Sequence, residues 1–195
     1  MAIDAFVLPL PKYLRGDFTT PLESLFGPDK VKRISIWGGI VEKFRSRHVR
    51  RTTATVESFL ASHGITYSFA TEGNVEISQQ YHNHNKLFEY LHTQENGRER
   101  FKSLVELNVY SGMVIPCNFP EPLDSKHLEL PVTSIHSADQ IASAISEVDK
   151  LLQVPPDWNF KDGPPELFHA RSSLYQLRQF ISAVTSSNLP LIFWG

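Results

Sequence analysis

Apolar positions in the last third of the chain recur at helical spacing. In SADQIASAISEVDKLL (137–152), Ile141, Ile145, Val148 and Leu152 follow one another at four, three and four, and Ser137 with Gln140 makes a capping-box pattern. Leu174, Leu177, Ile181 and Val184 predict one buried face of a helix over roughly 166–186. Further helices are predicted at 84–94 and at about 97–109. In the second of these Phe101, Leu104, Val105 and Asn108 align, and Lys102 stands four residues from Glu106 for an outward ion pair.

The first half is more ambiguous. IVEKFRSRHVRR (40–51) reads as a helix with Ile40, Phe44 and His48 on one face. TTATVESFLASHG (52–64) reads as a separate helix, capped by Thr53, striped by Val56, Phe59 and Leu60, and stopped by Gly64. TTPLESLFG (19–27) offers one or two helical turns with Thr20 as cap and Pro21 in the first position.

Strand patterns are short. IDAFVLPL (3–10) is closed by Pro9 and Pro11, and VKRISIW (31–37) precedes Gly38 and Gly39. ITYSF (65–69) and VEIS (75–78) flank TEGN as a hairpin would. GMVIPCNFPEP (112–122) opens as a strand and continues as an ordered loop, and the Pro-rich stretch at 116–131 is the candidate seam between halves. QVPPDWNFKDGPPE (153–166) is a loop with aromatic pins, and the apolar tail NLPLIFWG (188–195) is expected to pack into the fold. Strands and helices do not alternate regularly, so the expectation is an α+β fold: one compact, helix-dominated domain over 1–195 with a small, mainly antiparallel sheet. A mostly α fold is the alternative.

Composition adds limits. Thirteen Phe, six Tyr and three Trp supply a core, and a net charge of −2 gives no global attraction to nucleic acid. The single cysteine, Cys117, excludes an internal disulfide and a thiolate-rich zinc site. No apolar run approaches the ~18 residues of a membrane span, and the first residues lack a secretory pattern, so a cytoplasmic protein is the expectation.

Two stretches carry candidate chemistry. YHNHNKLFEYLH (81–92) places His82, His84, Glu89 and His92 near one another, a set that would serve a metal- or acid–base-dependent enzyme if the side chains converged. The plainer reading has Asn83 or Asn85 capping a helix that Leu87, Phe88 and Leu91 dock. KFRSRHVRR (43–51) concentrates Arg45, Arg47, His48, Arg50 and Arg51 on an otherwise slightly acidic chain. Taken by itself the run reads first as a solvated helical face, next as a patch for an acidic protein partner, and last as a site of weak nucleic-acid binding through 45–51; local charge of this kind steers one complementary surface better than it coats DNA. No GxSxG, GxxxxGK[ST] or GxGxxG pattern is present, and no cofactor is implied. A helix interior gives His169, Ser172 and Ser173 no oxyanion hole. The leading expectation is a protein-binding factor, in the manner of a bacterial inhibitor or immunity protein. It would occlude an acidic surface or active site with the basic run, and Trp158 and Phe160 would serve as aromatic anchors unless they act as core pins.

Overall fold

The computed structural model of the chain describes residues 3–21, 23, 42–128, 130–158 and 164–195, the side chains of 42–46 excepted. The expected strand at 31–37, the start of the helix expected at 40–51, and Phe160 lie outside the described residues. Among those described, the strands are β1 (Ile3–Val7), β2 (Ile77–Tyr81), β3 (Gly112–Ile115), β4 (Leu123–Asp124), β5 (Ser134–Ser137) and β6 (Leu191–Trp194). The helices are α1 (Leu10–Arg15), α2 (Glu42–Ser62), α3 (His84–Thr93), α4 (Gly97–Arg100), α5 (Lys102–Val105), α6 (Ala138–Leu152) and α7 (Phe168–Ser187). The fold is α+β.

The six strands form one mixed sheet in the order β2-β1-β6-β3-β5-β4. Its pairings are antiparallel except for β3 with β5, which run parallel in the register Val114 to His136. The apolar tail does pack into the fold: β6 lies between β1 and β3, pairing Phe193 with Ala5 and Leu191 with Val114. Strand side chains alternate between two cores. Ile3, Ala5, Val7, Val114, Leu191 and Phe193 face α3, α6 and α7, whereas Phe6, Met113, Ile115, Ile135 and Ile192 face α1 and α2.

The two strongest helical patterns are met. Ile141, Ile145, Val148 and Leu152 of α6 and Leu174, Leu177, Ile181 and Val184 of α7 are all buried. Ser137 caps α6 by accepting the Gln140 N–H at 3.2 Å, while the Gln140 side chain turns away to Asn118, so the box is half made. Thr20 and Glu23 make a complete one: Thr20 accepts the Glu23 N–H at 3.2 Å, and Glu23 accepts the Thr20 N–H at 2.8 Å.

Four expectations differ. The helices at 40–51 and 52–64 are one helix, α2. Thr53 sits in its interior and donates its hydroxyl to the Val49 carbonyl at 2.9 Å instead of capping. Its buried stripe is Val49, Thr53, Val56 and Leu60, and His48 is exposed. The hairpin is absent. Ile65, Tyr67 and Phe69 are buried alternately, but this extended segment docks on α2, where the Glu57 carboxylate accepts the Phe69 N–H at 2.8 Å and the Ser68 hydroxyl at 3.0 Å. The strand that follows is 77–81, and it pairs with β1. The helix expected at 97–109 breaks at Phe101 into α4 and α5, and Lys102 pairs with Glu121 at 2.6 Å instead of Glu106. The stretch 116–131 is no seam: it carries β4 against β5 and joins the parallel strands β3 and β5 of the same sheet.

Phe193 is 1% exposed in the central strand. Phe193→Ala is expected to cost about 3–5 kcal/mol, read as a lower urea midpoint at unchanged m-value; a loss below about 1 kcal/mol would show that β6 does not anchor the larger core.

Candidate functional site

The basic run lies on the outer side of α2. Val49, Thr53, Val56 and Leu60 turn inward at helical spacing, which leaves Arg47, His48, Arg50, Arg51 and Thr55 facing solvent. Arg45 belongs to the same helix, but its side chain lies outside the described residues. Among the described residues Arg47, Arg50 and Arg51 form no ion pair. Arg15, Lys86, Arg100, Lys102, Lys126 and Arg178, by contrast, each reach a carboxylate: Asp17, Glu89, Glu147, Glu121, Asp124 and Asp149 respectively.

One end of this face opens into a pocket of about 320 Å³ between α2 and the helical turn Lys126–Leu128, lined by His48, Arg51, Thr52, Thr55, His127 and Leu128. Phe59 stands below it, with its ring 5.1 Å from that of His127 in an edge-on contact and 4.5 Å from that of His63. His127 therefore belongs to the same surface as Arg51, although the two stand 76 positions apart in the chain. Sequence reasoning had no signal for that pairing, because nothing local to KHL points toward α2.

The histidine set at 81–92 does not converge. Asn83 takes a positive φ of 58° between β2 and α3, so His82 and His84, which an unbroken extended segment would place on one side, separate. His82 is exposed and donates its backbone N–H to Gln176 Oε1 at 3.1 Å. His84 begins α3 with its ring in the core, 5% exposed, and its Nε2 lies 3.2 Å from the Tyr110 hydroxyl. Glu89 pairs with Lys86 at 2.6 Å, and His92 is exposed on the last turn of α3. Among the described residues no group of three or more His, Cys, Asp and Glu side chains is placed to hold a metal ion. The metal set His82, His84, Glu89 and His92 is thus not assembled, because the turn at Asn83 divides it.

Trp158 is 4% exposed, its ring 5.7 Å from Phe168 and 5.8 Å from Tyr175. It pins the loop after α6 to α7 and offers no contact surface, which corrects its candidacy as a partner anchor. Ser173 is fully buried and donates to the Tyr81 hydroxyl at 2.8 Å, a structural role. Burial pushes the Cys117 thiol above its ordinary range and Asp139 adds to the effect, so it is a poor thiolate.

A second polar region surrounds His136, 2% exposed on β5 at the floor of two adjoining clefts of about 240 and 320 Å³. The Asn108 N–H donates to its Nε2 at 3.4 Å, and the Ser134 hydroxyl lies 2.9 Å from the same atom. A backbone N–H can only donate, so Nε2 accepts and the neutral ring carries its proton on Nδ1. The tight turn beneath this network requires Gly112, where a Cβ would stand 2.2 Å from the Asn108 carbonyl oxygen. Burial lowers the His136 pKa to about 4. With Nε2 occupied and the ring neutral near pH 7, this histidine is a fixed hydrogen-bonding group and not a general base.

Comparisons with family models, curated proteins and solved structures give no match for this chain. Among the described residues no helix is long and apolar enough to cross a membrane.

The depressed His136 pKa sets a sign for the pH dependence of stability. The unfolded ring gains its proton near pH 6.5, and the folded ring only near 4. The contribution is therefore complete above pH 6.5 and is lost as pH falls toward 4, by roughly 3 kcal/mol over that window. His136→Gln, which keeps an acceptor for Ser134 and Asn108, is expected to flatten the fall in urea midpoint between pH 7 and 4.5. An unchanged slope would place the acid sensitivity elsewhere.

Proposed function

We propose that this chain is a protein-binding factor that docks the outer face of α2 on an acidic surface of another protein, in the manner of an inhibitor or immunity protein covering an active-site cleft. The observation that carries the reading is the exposed cluster Arg47, Arg50 and Arg51, which has no carboxylate partner among the described residues. An isolated array of three guanidinium groups within little more than one helical turn repels itself, and an acidic partner relieves that repulsion.

The surface chemistry supports a charge-led contact. Among the described residues the large apolar side chain left exposed is Tyr110, and its hydroxyl is already engaged by His84. An interface on the described surface therefore draws less on an apolar patch than on arginine, which supplies flat, weakly hydrated cations suited to carboxylates. Complementary charge of this kind raises the association rate and selects among partners more than it lengthens residence. The overall charge of −2 keeps the attraction local to α2.

Affinity capture from native cell extract, with the wild-type chain beside the double variant Arg47→Gln/Arg50→Gln, tests the reading. One dominant protein, captured near equal ratio and released by raised salt, is expected for the wild type. The double variant is expected to associate roughly tenfold more slowly, with the dissociation rate nearly unchanged. Capture that ignores both salt and the two substitutions would overturn the reading. Recovery of nucleic acid, with a salt slope of several units on a defined oligonucleotide, would replace it.

A further inference from the structure

We propose that the pocket between α2 and the Lys126–Leu128 turn is a carboxylate receptor that takes one aspartate or glutamate side chain of the acidic partner. This rests on the reading of α2 as the docking face, and it specifies what that face grips.

The lining carries side-chain nitrogen on both walls, from the Arg51 guanidinium and the His48 ring on α2 and from the His127 ring on the opposing turn, with no carboxylate among the described residues that line it. Arg51 presents a planar fork whose two N–H groups match the two oxygens of a carboxylate, and it is free of ion pairs among the described residues. The edge-on Phe59 ring fixes the plane of His127 across from it. Leu128 gives an apolar wall suited to the methylenes behind a carboxylate. The Thr55 hydroxyl donates to the Arg51 carbonyl at 2.9 Å, so its proton is committed, and the Thr52 hydroxyl lies 3.4 Å from His48 Nε2, which leaves the Arg51 guanidinium as the principal binding group. Glu129, next to Leu128, lies outside the described residues. Of the described acids near the lining in the chain, Glu57 accepts from Ser68 and Phe69, and Asp124 accepts the Lys126 N–H at 3.0 Å and stands 3.7 Å from Lys126 Nζ. Lys126, and His127 to a lesser degree, hold its carboxyl below the usual range. Asp124 is therefore engaged by Lys126 and does not line the pocket.

A phosphate would meet the same cations and the same arginine fork, but it would lack the unsatisfied backbone N–H groups that helix starts or nests commonly add to phosphate sites. This pocket lies against the interior of α2, whose N–H groups are spent on the helix. Its volume of about 320 Å³ sits at the small end of the ~300–1,000 Å³ range of ligand pockets, which suits one side chain inserted from a larger surface.

The test is fluorescence anisotropy with fluorescein-labelled hexaglutamate at low ionic strength, on the wild type and on Arg51→Gln, Arg51→Lys, His127→Gln and Arg47→Gln/Arg50→Gln, with matched thermal melts. Arg51→Gln is expected to weaken binding roughly tenfold, the loss of one charge-assisted pair. Arg51→Lys should fall between it and the wild type, and His127→Gln should also weaken binding. Glutarate should compete better than inorganic phosphate. If Arg47→Gln/Arg50→Gln weakens binding while Arg51→Gln and His127→Gln do not, the receptor is overturned and the docking face stands. Failure of the wild type to bind hexaglutamate overturns both. Stronger competition by phosphate than by glutarate makes the pocket a phosphate site and overturns the carboxylate assignment.

Discussion

The ladder that β6 makes with β1 on one side and β3 on the other joins the molecule together. In the order β2-β1-β6-β3-β5-β4, removing β6 leaves a two-stranded piece and a three-stranded piece. Hydrogen bonds continue past both ends of the strand, from Leu8 to the Pro190 carbonyl at 3.3 Å and from Gly195 to the Tyr110 carbonyl at 3.0 Å. Alternation along its four residues feeds both cores, Leu191 and Phe193 into one and Ile192 into the other. An apolar tail of this composition would be costly in water, and insertion at the sheet centre removes its side chains and its backbone from solvent together.

With the sheet closed around β6, helices cover both faces and polar groups fall into two kinds of environment. Among the described residues, polar groups facing inward are tied down apart from His84 Nδ1, which is buried without a hydrogen-bond partner: Gln176 brackets β2 by accepting the His82 N–H and donating to the Gln80 carbonyl, and Arg171 donates to the carbonyls of Leu152 and Gln153. Glu57 of α2 is spent on the Ser68–Phe69 segment. The outer face of the same helix is different, because its inward stripe of Val49, Thr53, Val56 and Leu60 asks nothing of Arg47, Arg50 or Arg51. Those cations contribute little to folding as exposed groups, which leaves them available to the acidic partner proposed above.

Where the sequence is periodic over three or more turns, the structure follows it, as in α6 and α7, and the packing of the apolar stretch 189–194 was legible from composition. The misreadings have local physical causes. The threonines at 52, 53 and 55 resemble a helix start, yet in a continuing helix their hydroxyls fold back: Thr53 and Thr55 return them to carbonyls four residues earlier. Ile65, Tyr67 and Phe69 alternate like a strand because one side of the segment is buried, but Glu57 supplies what a neighbouring strand would have. The strand Ser134–Ser137 is too short and too polar to stand out from the Pro-rich stretch before it. At the candidate site, the arginines of α2 were visible as a charge run. The part played by His127 was not, because it depends on how a turn lies against a helix far away in the chain.

Arginine-selective modification with phenylglyoxal, followed by peptide mass spectrometry on the chain alone and in complex with its captured partner, tests the central claim most directly. The account predicts that Arg47, Arg50 and Arg51 react readily in the free chain and are protected together in the complex, while the exposed Arg98 on α4 keeps its reactivity. Unchanged reactivity at all three, with protection appearing at Arg98 instead, would place the contact on another surface and contradict the assignment of α2 as the docking face.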